Sequence, residues 1–327
     1  MRTLLLAMGL ALVAGAAFAA GPPNHFSRAQ ALFGCEHPQA KEAIAQMRLA
    51  IAQEIGSNRR NLAIAWIFIG DAYRYLRQPV QSEQAYRKAW PALRDTERGR
   101  YAGLQLARLF AGRKEYDRAL ALCSEVLPLM KQEYELCNFS FTRLTICMAA
   151  GRREQAVRQF EWAIQRKLSP TSVASHACRI ISRLAETKPP DSAQLVDRMF
   201  ARLPADAVTL QLFAVRAQFD RVIGRPAAAL KWLEPALANA KQRDSWLSDA
   251  HFEAGLTYET LKDAAAADKH FNRVLALAEA GDPYAKALVD FSRLHIAYCN
   301  RGMTGVKPGV PPAPGSSPLP AGGAKVQ

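Results

Sequence analysis

The sequence predicts an all-α fold, a right-handed α-solenoid of about six helix–turn–helix repeats with a period of about 37 residues and capping helices at both ends. Three observations predict it. Ala, Leu, Arg, Gln and Glu, all good helix formers, dominate the 327 residues, while Val, Thr and other strand formers are sparse. Apolar residues recur at helical spacing, so that Trp66, Ile69, Gly70 and Tyr73 share one face and Ser82, Tyr86 and Ala89 share the next. These stripes then return at a nearly constant interval. The position of Gly70 is taken by Ala107, Leu144, Ile181, Ala217 and Gly255, in steps of 37, 37, 37, 36 and 38 residues.

Taken in order, the chain opens on MRTLLLAMGLALVAGAAFAA. Arg2, the apolar run from Leu4 to Val13 and the triplet Ala17-Phe18-Ala19 read as a Sec-type signal peptide over residues 1–19. The run is shorter than the ~20 residues that a membrane span needs. Export to the periplasm or beyond is therefore expected, and loss of Arg2 takes the formal charge from +14 to +13. Residues 20–62 are assigned to a degenerate leading repeat and capping helices, with Ala45, Leu49 and Ala52 on the inner stripe of its second helix.

Repeats fill 63–281. The second-helix stripe begun by Ser82 recurs as Ala119, Ala156, Ala193, Ala229 and Ala267, and four residues further on stand Tyr86, Cys123, Phe160, Asp197, Leu233 and Phe271. Small residues belong where paired helices cross closely, and larger ones fill the space around the crossing. Leu144 and Ile181 are bulky for the small slot, which predicts splayed pairs there. Asp197 in place of an aromatic predicts that the fourth repeat packs least well. Asp282 reads as an N-cap and Pro283 as the first residue of a capping helix over 282–301. Such a helix covers the face that a terminal repeat leaves open. From Gly302 to Gln327, six prolines, no acid and no apolar periodicity predict a disordered Pro/Gly/Ala-rich tail.

Two stretches, Asn61–Asp95 and Asp249–Ala278, carry the pattern most fully. Gly70 and Tyr73, or Gly255 and Tyr258, mark the first helix; Tyr86 and Ala89, or Phe271 and Val274, mark the second. This arrangement resembles the tetratricopeptide repeat family over about 220 residues, although a period of 37 exceeds the family's ~34. The resemblance implies a concave groove lined by the first helix of each pair. Its positions include Arg74 in the first repeat, Tyr101, Leu104 and Arg108 in the second, and Asn138 and Phe141 in the third. The fifth repeat adds Ala214, Gln218 and Arg221, and the sixth Asp249, Phe252 and Leu256. An apolar floor edged by Arg and Tyr suits an extended or helical segment of a protein partner. Family members that clamp an acidic C-terminus place a lysine three residues before the glycine slot. Here that slot holds Ile67, Leu104, Phe141, Cys178, Ala214 and Phe252, so such a clamp is not expected. Flanks of the same chain filling the groove is the other arrangement that a tight superhelix allows.

Catalytic motifs are missing from the sequence. None of the six histidines lies in HExxH, no GxSxG, P-loop or GxGxxG occurs, and no CxxC pairs any of the six cysteines. No catalytic residue, metal site or cofactor is predicted, and the chain reads as not an enzyme. In an oxidising compartment disulfides persist. Cys123 and Cys137, seven residues either side of Met130 at the midpoint of an expected hairpin, are the candidate disulfide. Residues 59–118 hold thirteen Lys or Arg against six Asp or Glu, a net of +7. Export argues against nucleic acid as the partner of that charge and for anionic lipid head groups, acidic cell-wall glycans or acidic protein surfaces. The function expected is thus an exported, non-catalytic interaction scaffold acting in envelope assembly, secretion or complex maturation, with a protein partner of acidic character, no nucleic acid and no membrane span. Two alternatives are a binder of anionic cell-wall or surface polysaccharide and an accessory subunit of an exported enzyme.

Overall fold

The structure, a computed structural model, describes residues 24–35, 38–55, 58–241, 244 and 246–309. The expected signal peptide, His37 and the tail beyond Gly309 lie outside the described residues. Among those described, helices alternate with short turns and no strand occurs, which makes the fold an all-α solenoid of helix pairs. The chain divides into two compact units, one up to Ala150 and one from Gly151.

The first unit holds α1 (His25–Gly34), α2 (Ala40–Ala50, continued by a π-helical turn Ile51–Ile55), α3 (Arg59–Tyr75), α4 (Pro79–Leu93), α5 (Glu97–Gly112), α6 (Tyr116–Val126) and α7 (Glu133–Ala149). The second holds α8 (Arg153–Gln165), α9 (Pro170–Thr187), α10 (Ser192–Phe200), α11 (Leu210–Val222), α12 (Pro226–Asn239), α13 (Leu247–Thr260), α14 (Ala264–Glu279) and α15 (Pro283–Asn300). Side-chain caps start many of them: Asn58, Thr96, Ser169, Thr209, Asp263 and Asp282 each accept a hydrogen bond from a backbone N–H of the first turn.

The helices of each pair make their closest contact at the small-residue slot. Ala107, Leu144, Ile181 and Ala217 are fully buried in the small-residue slot. At Gly70 an added Cβ would stand 2.8 Å from the Tyr86 ring, and at Gly255 it would stand 2.6 Å from the Phe271 ring. The backbone of the first helix therefore lies directly on an aromatic face of the second. Beside it, Ser82 Oγ donates to the Gly70 carbonyl at 2.8 Å, which satisfies a hydroxyl that would otherwise be buried without a partner. Between repeats, Gly99 sits so close to the Leu93 carbonyl, 1.8 Å from a would-be Cβ, that no other residue fits.

The turn inside each repeat shows the same periodicity. Arg77, Lys114, Gly151, Lys188, Gly224 and Lys262 all have positive φ, between 45° and 82°. In the best-formed turns the next residue closes the helix end, with Gln78, Glu115, Arg225 and Asp263 donating backbone N–H groups to Tyr73, Phe110, Asp220 and Tyr258. The residue after Lys188 is Pro189, which has no N–H to give. That turn is longer, and α10 starts four residues past the left-handed residue, where α4, α6, α12 and α14 start two past theirs.

Here the structure corrects the expected register. On α10 the buried stripe is Ser192, Val196 and Met199, one residue ahead of Ala193, Asp197 and Phe200. Asp197 is half-exposed and pairs with the fully buried Arg216 of α11, whose guanidinium lies 4.9 Å from the Phe200 ring and 5.2 Å from the Trp232 ring. Asp220 holds the other edge of Arg216 at 2.7 Å. An ion pair and two aromatic faces thus replace the expected aromatic core residue. The bulky Ile181 is accommodated by looser pairing, since α9 makes broader contact with α11 than with α10. The leading pair is also displaced: Ala43, Met47 and Ala50 are buried on α2, while Ala45, Leu49 and Ala52 face outward, a shift of two residues.

Past α15 the chain is tied down. Lys307 Nζ lies 2.9 Å from Glu259, His295 bonds Glu259 at 2.8 Å and the Gly309 carbonyl at 3.2 Å, and Met303 packs on the last core cluster. Residues 302–309, expected as part of a disordered tail, are ordered by these contacts. Burial by itself would raise the Glu259 carboxyl, but the hydrogen bonds from His295 and Lys307 hold it below the usual range.

The cost of a side chain at the crossing is measurable. Gly255→Leu is expected to destabilise the protein by about 2 kcal/mol or more, because the Phe271 ring cannot retreat from a packed core. Leu144→Ile, at an equivalent slot that already holds a large residue, should cost less. Thermal or urea melts of both variants check the difference.

Candidate functional site

Each unit carries its own part of the first-helix face. In the first unit, Asp71 of α3 accepts hydrogen bonds from the Tyr86 hydroxyl at 2.7 Å and the Tyr101 hydroxyl at 2.6 Å, both on one oxygen. Arg74, one turn further along α3, lies 3.7 Å from the same oxygen. Burial raises the Asp71 pKa against the opposing pull of the two hydroxyls and Arg74. Tyr101 is raised by burial and by Asp71, so both phenols stay protonated donors.

Arg108 continues the face on α5. Its Nε and Nη2 donate to Thr142 Oγ1 of α7 at 3.2 and 2.7 Å, and Nη2 reaches Asn138 Oδ1 at 3.5 Å. These acceptors are neutral, and among the described residues no carboxylate pairs with this guanidinium. Partial burial and the nearby Arg74 lower its pKa, as expected for a cation lacking a counter-ion. A buried ion pair sets the spacing of the two helices that carry these groups: Arg100 of α5 meets Glu135 of α7 at 2.6 Å. Of the sequence-predicted positions, Arg74, Tyr101, Arg108 and Asn138 come together here. Leu104 is buried at 4% exposure and serves as core, and Phe141 is half-buried.

In the second unit, Gln218, Arg221 and Phe252 do line one cavity of about 410 Å³, together with the groove positions Ala214, Asp249 and Leu256. Residues from α11 and α13 form one wall, and Pro283, Tyr284, Leu288 and Phe291 of α15 form the other. Arg221 grips Glu253 through two bonds of 2.5 and 3.1 Å. Asp249 has no cation beside it among the described residues; burial, with a further contribution from Asp282, pushes its carboxyl up to about 6. Trp246, Glu253 and the α15 residues were not among the expected groove positions. The stripe Tyr284, Leu288, Phe291 at helical spacing was the available signal for the last of these.

The candidate disulfide is not formed: Cys123 and Cys137 are separate thiols. Burial pushes Cys123 up to about 12, and the groups acting on it are Arg143, Cys147 and Arg108. It therefore faces a stretch of α7 some two to three turns beyond Cys137. The linker is the cause: α6 ends at Val126 and passes through a 3₁₀ turn, Leu127–Leu129, so the helices do not fold back symmetrically about Met130. Much of the basic excess is likewise engaged internally. Arg87 and Arg113 pair with Glu83, Arg118 pairs with Glu115, and all three guanidiniums pack around the Phe110 ring. Among the described residues no helix is long and apolar enough to cross a membrane, and no group of three or more His, Cys, Asp or Glu is placed to hold a metal ion.

The raised carboxyl of Asp249 makes a pH signature. Its folded pKa lies above its unfolded value of about 3.9, so the folded state binds the extra proton and stability falls as pH rises from about 4 to about 6. Asp249→Asn should flatten that part of the stability curve and leave the protein at least as stable at pH 7, as read by thermal midpoints across the range.

No family model matches the sequence, and no curated protein matches it. Among solved structures, a tetratricopeptide repeat protein from Parabacteroides merdae ATCC 43184 is similar at 13% identity and a TM-score of 0.43, over 78% of this chain and 92% of that one. The Rap protein complexed with Competence and Sporulation Factor is similar at 14% identity and a TM-score of 0.41, over 78% of this chain and 74% of that one.

Proposed function

We propose that the protein is an exported, non-catalytic scaffold of the cell envelope. It holds a segment of a partner protein against the first-helix faces of its repeats during assembly, secretion or complex maturation. The observation that carries this reading is Arg108. Its guanidinium is oriented by the neutral side chains of Thr142 and Asn138, is flanked by Tyr101, and has no carboxylate partner among the described residues. A fork held in that way is ready to accept a carboxylate from outside, and bidentate Arg–carboxylate pairs are among the stronger polar contacts. The partner segment is therefore acidic where it meets the first unit. Export rests on the signal-peptide pattern of residues 1–19. A diffuse polysaccharide-binding face is less well supported, because Arg87, Arg100, Arg113 and Arg118 already have carboxylate partners.

Two measurements test the proposal. Acetylated peptides rich in Glu should bind the mature chain more tightly than their Gln counterparts, and Arg108→Ala should weaken them about tenfold without lowering the melting temperature. Equal binding of Glu and Gln peptides would overturn the acidic-segment reading, and salt-sensitive retention on purified anionic glycan that survives Arg108→Ala would favour polysaccharide. Intact mass of the protein recovered from the envelope fraction should correspond to a chain beginning at Ala20. A cytoplasmic chain that keeps residues 1–19 would refute export.

A further inference from the structure

The cavity of the second unit carries chemistry opposite to that of Arg108. Trp246, Phe252, Tyr284 and Phe291 give it four aromatic walls within a volume of about 410 Å³. Among the described residues, three charged side chains line it. Two of them, Arg221 and Glu253, cancel each other through a bidentate pair. The third, Asp249, has no cationic partner among the described residues, and the charged group that adds to its raised pKa is another carboxylate, Asp282. Among the described residues that line it, the cavity thus has one carboxylate without a cationic partner, set among aromatic faces.

The backbone invests in this arrangement. Trp246 precedes α13 in the left-handed region, at φ 80°, a conformation that a bulky L residue adopts only against steric cost. The tryptophan is nonetheless placed where it lines the cavity.

We propose that this cavity binds one basic side chain, lysine or arginine, of the docked segment, with the aliphatic stem against the aromatic walls and the cationic head at Asp249. The proposal builds on the segment-docking reading above. Charge and shape select the occupant. An anion would face the Asp249 carboxylate. A purely apolar group would bury the Asp249 carboxylate with no counter-ion. A cation on an apolar stem satisfies both the aromatic faces, which attract cations, and the carboxylate. The raised carboxyl of Asp249 agrees with a site awaiting its counter-ion, because a cation there would bring it back down.

The test uses the whole mature chain and dye-labelled, acetylated and amidated hexapeptides, apolar except for a central Lys, Arg, norleucine or Glu, read by fluorescence anisotropy. Lys and Arg peptides should bind about tenfold more tightly than the norleucine peptide, the scale of a desolvated cation among aromatic and carboxylate partners. Asp249→Asn should remove that preference while norleucine binding persists. Tyr284→Ala, at a largely exposed ring whose loss leaves the core intact, should reduce the preference several-fold. No preference for Lys or Arg in the unaltered chain, or a preference that survives Asp249→Asn, overturns the proposal. Binding of n-butylammonium that is lost in Asp249→Asn, in a chain that takes none of the peptides, would keep the cation site and sink segment docking instead. Acidic peptides captured through Arg108 with norleucine matching lysine would do the reverse.

Discussion

The close crossing of two helices at a position with no side chain is the constraint on which the rest of the structure depends. Where Gly70 meets Tyr86 and Gly255 meets Phe271, the partner's ring occupies the volume that a Cβ would need. This contact sets how near the helices of a pair approach and places Ser82 within reach of the Gly70 carbonyl. It also turns the opposite flank of the first helix outward, so the positions one and four residues after the slot, such as Asp71 and Arg74, fall on the face that carries the candidate site. Packing interiors tolerate little change in volume, so a single slot governs a whole repeat.

A second constraint is the turn. A left-handed residue at the same point of every repeat ends the first helix, and in four repeats the following N–H caps it. Most of these residues are Arg or Lys rather than Gly, so the hairpins are maintained against a local conformational cost, of order 1 kcal/mol each, that tertiary packing outweighs. Pro189 shows what the capping bond does. Without that N–H the turn lengthens, α10 slips by one residue, and the core there is rebuilt around the buried Arg216, its carboxylate partners and the rings of Phe200 and Trp232. Removing one partner of such a buried charge is far more costly than the net worth of the pair, which binds α10, α11 and α12 to one another.

The two candidate surfaces follow from these constraints and differ in sign. In the first unit the network runs from Asp71 through Tyr101 toward Arg108 and leaves a cation in excess. In the second, α15 covers the terminal face, as repeat arrays require, but leaves an aromatic-walled cavity in which Asp249 has no cationic partner among the described residues. Ordering of residues 302–309 through Glu259 and His295 keeps the capping helix tied to α13 beside that cavity.

The sequence by itself determined the helix pairs and their period, because both depend on short-range spacing: 3.6 residues per turn within a helix and about 37 per repeat. The slot from Gly70 to Gly255 is buried at each of its positions, and Arg74, Tyr101, Arg108 and Asn138 could be placed on one face by counting alone. Tertiary structure decided what counting cannot reach. The register of α2 and α10 depends on where a turn releases the chain, which rests on a proline's missing N–H at Pro189 and on packing at Met47. Cys123 has Arg143 and Cys147 of α7 acting on it and no bond to Cys137, because the 3₁₀ turn at Leu127–Leu129 changes the geometry between helices. The cavity around Asp249 joins α11, α13 and α15, residues up to 77 apart from Ala214 to Phe291, and no local pattern announces a contact of that range. Long-range neighbours depend on the summed packing of every intervening helix, and only the folded chain expresses that sum.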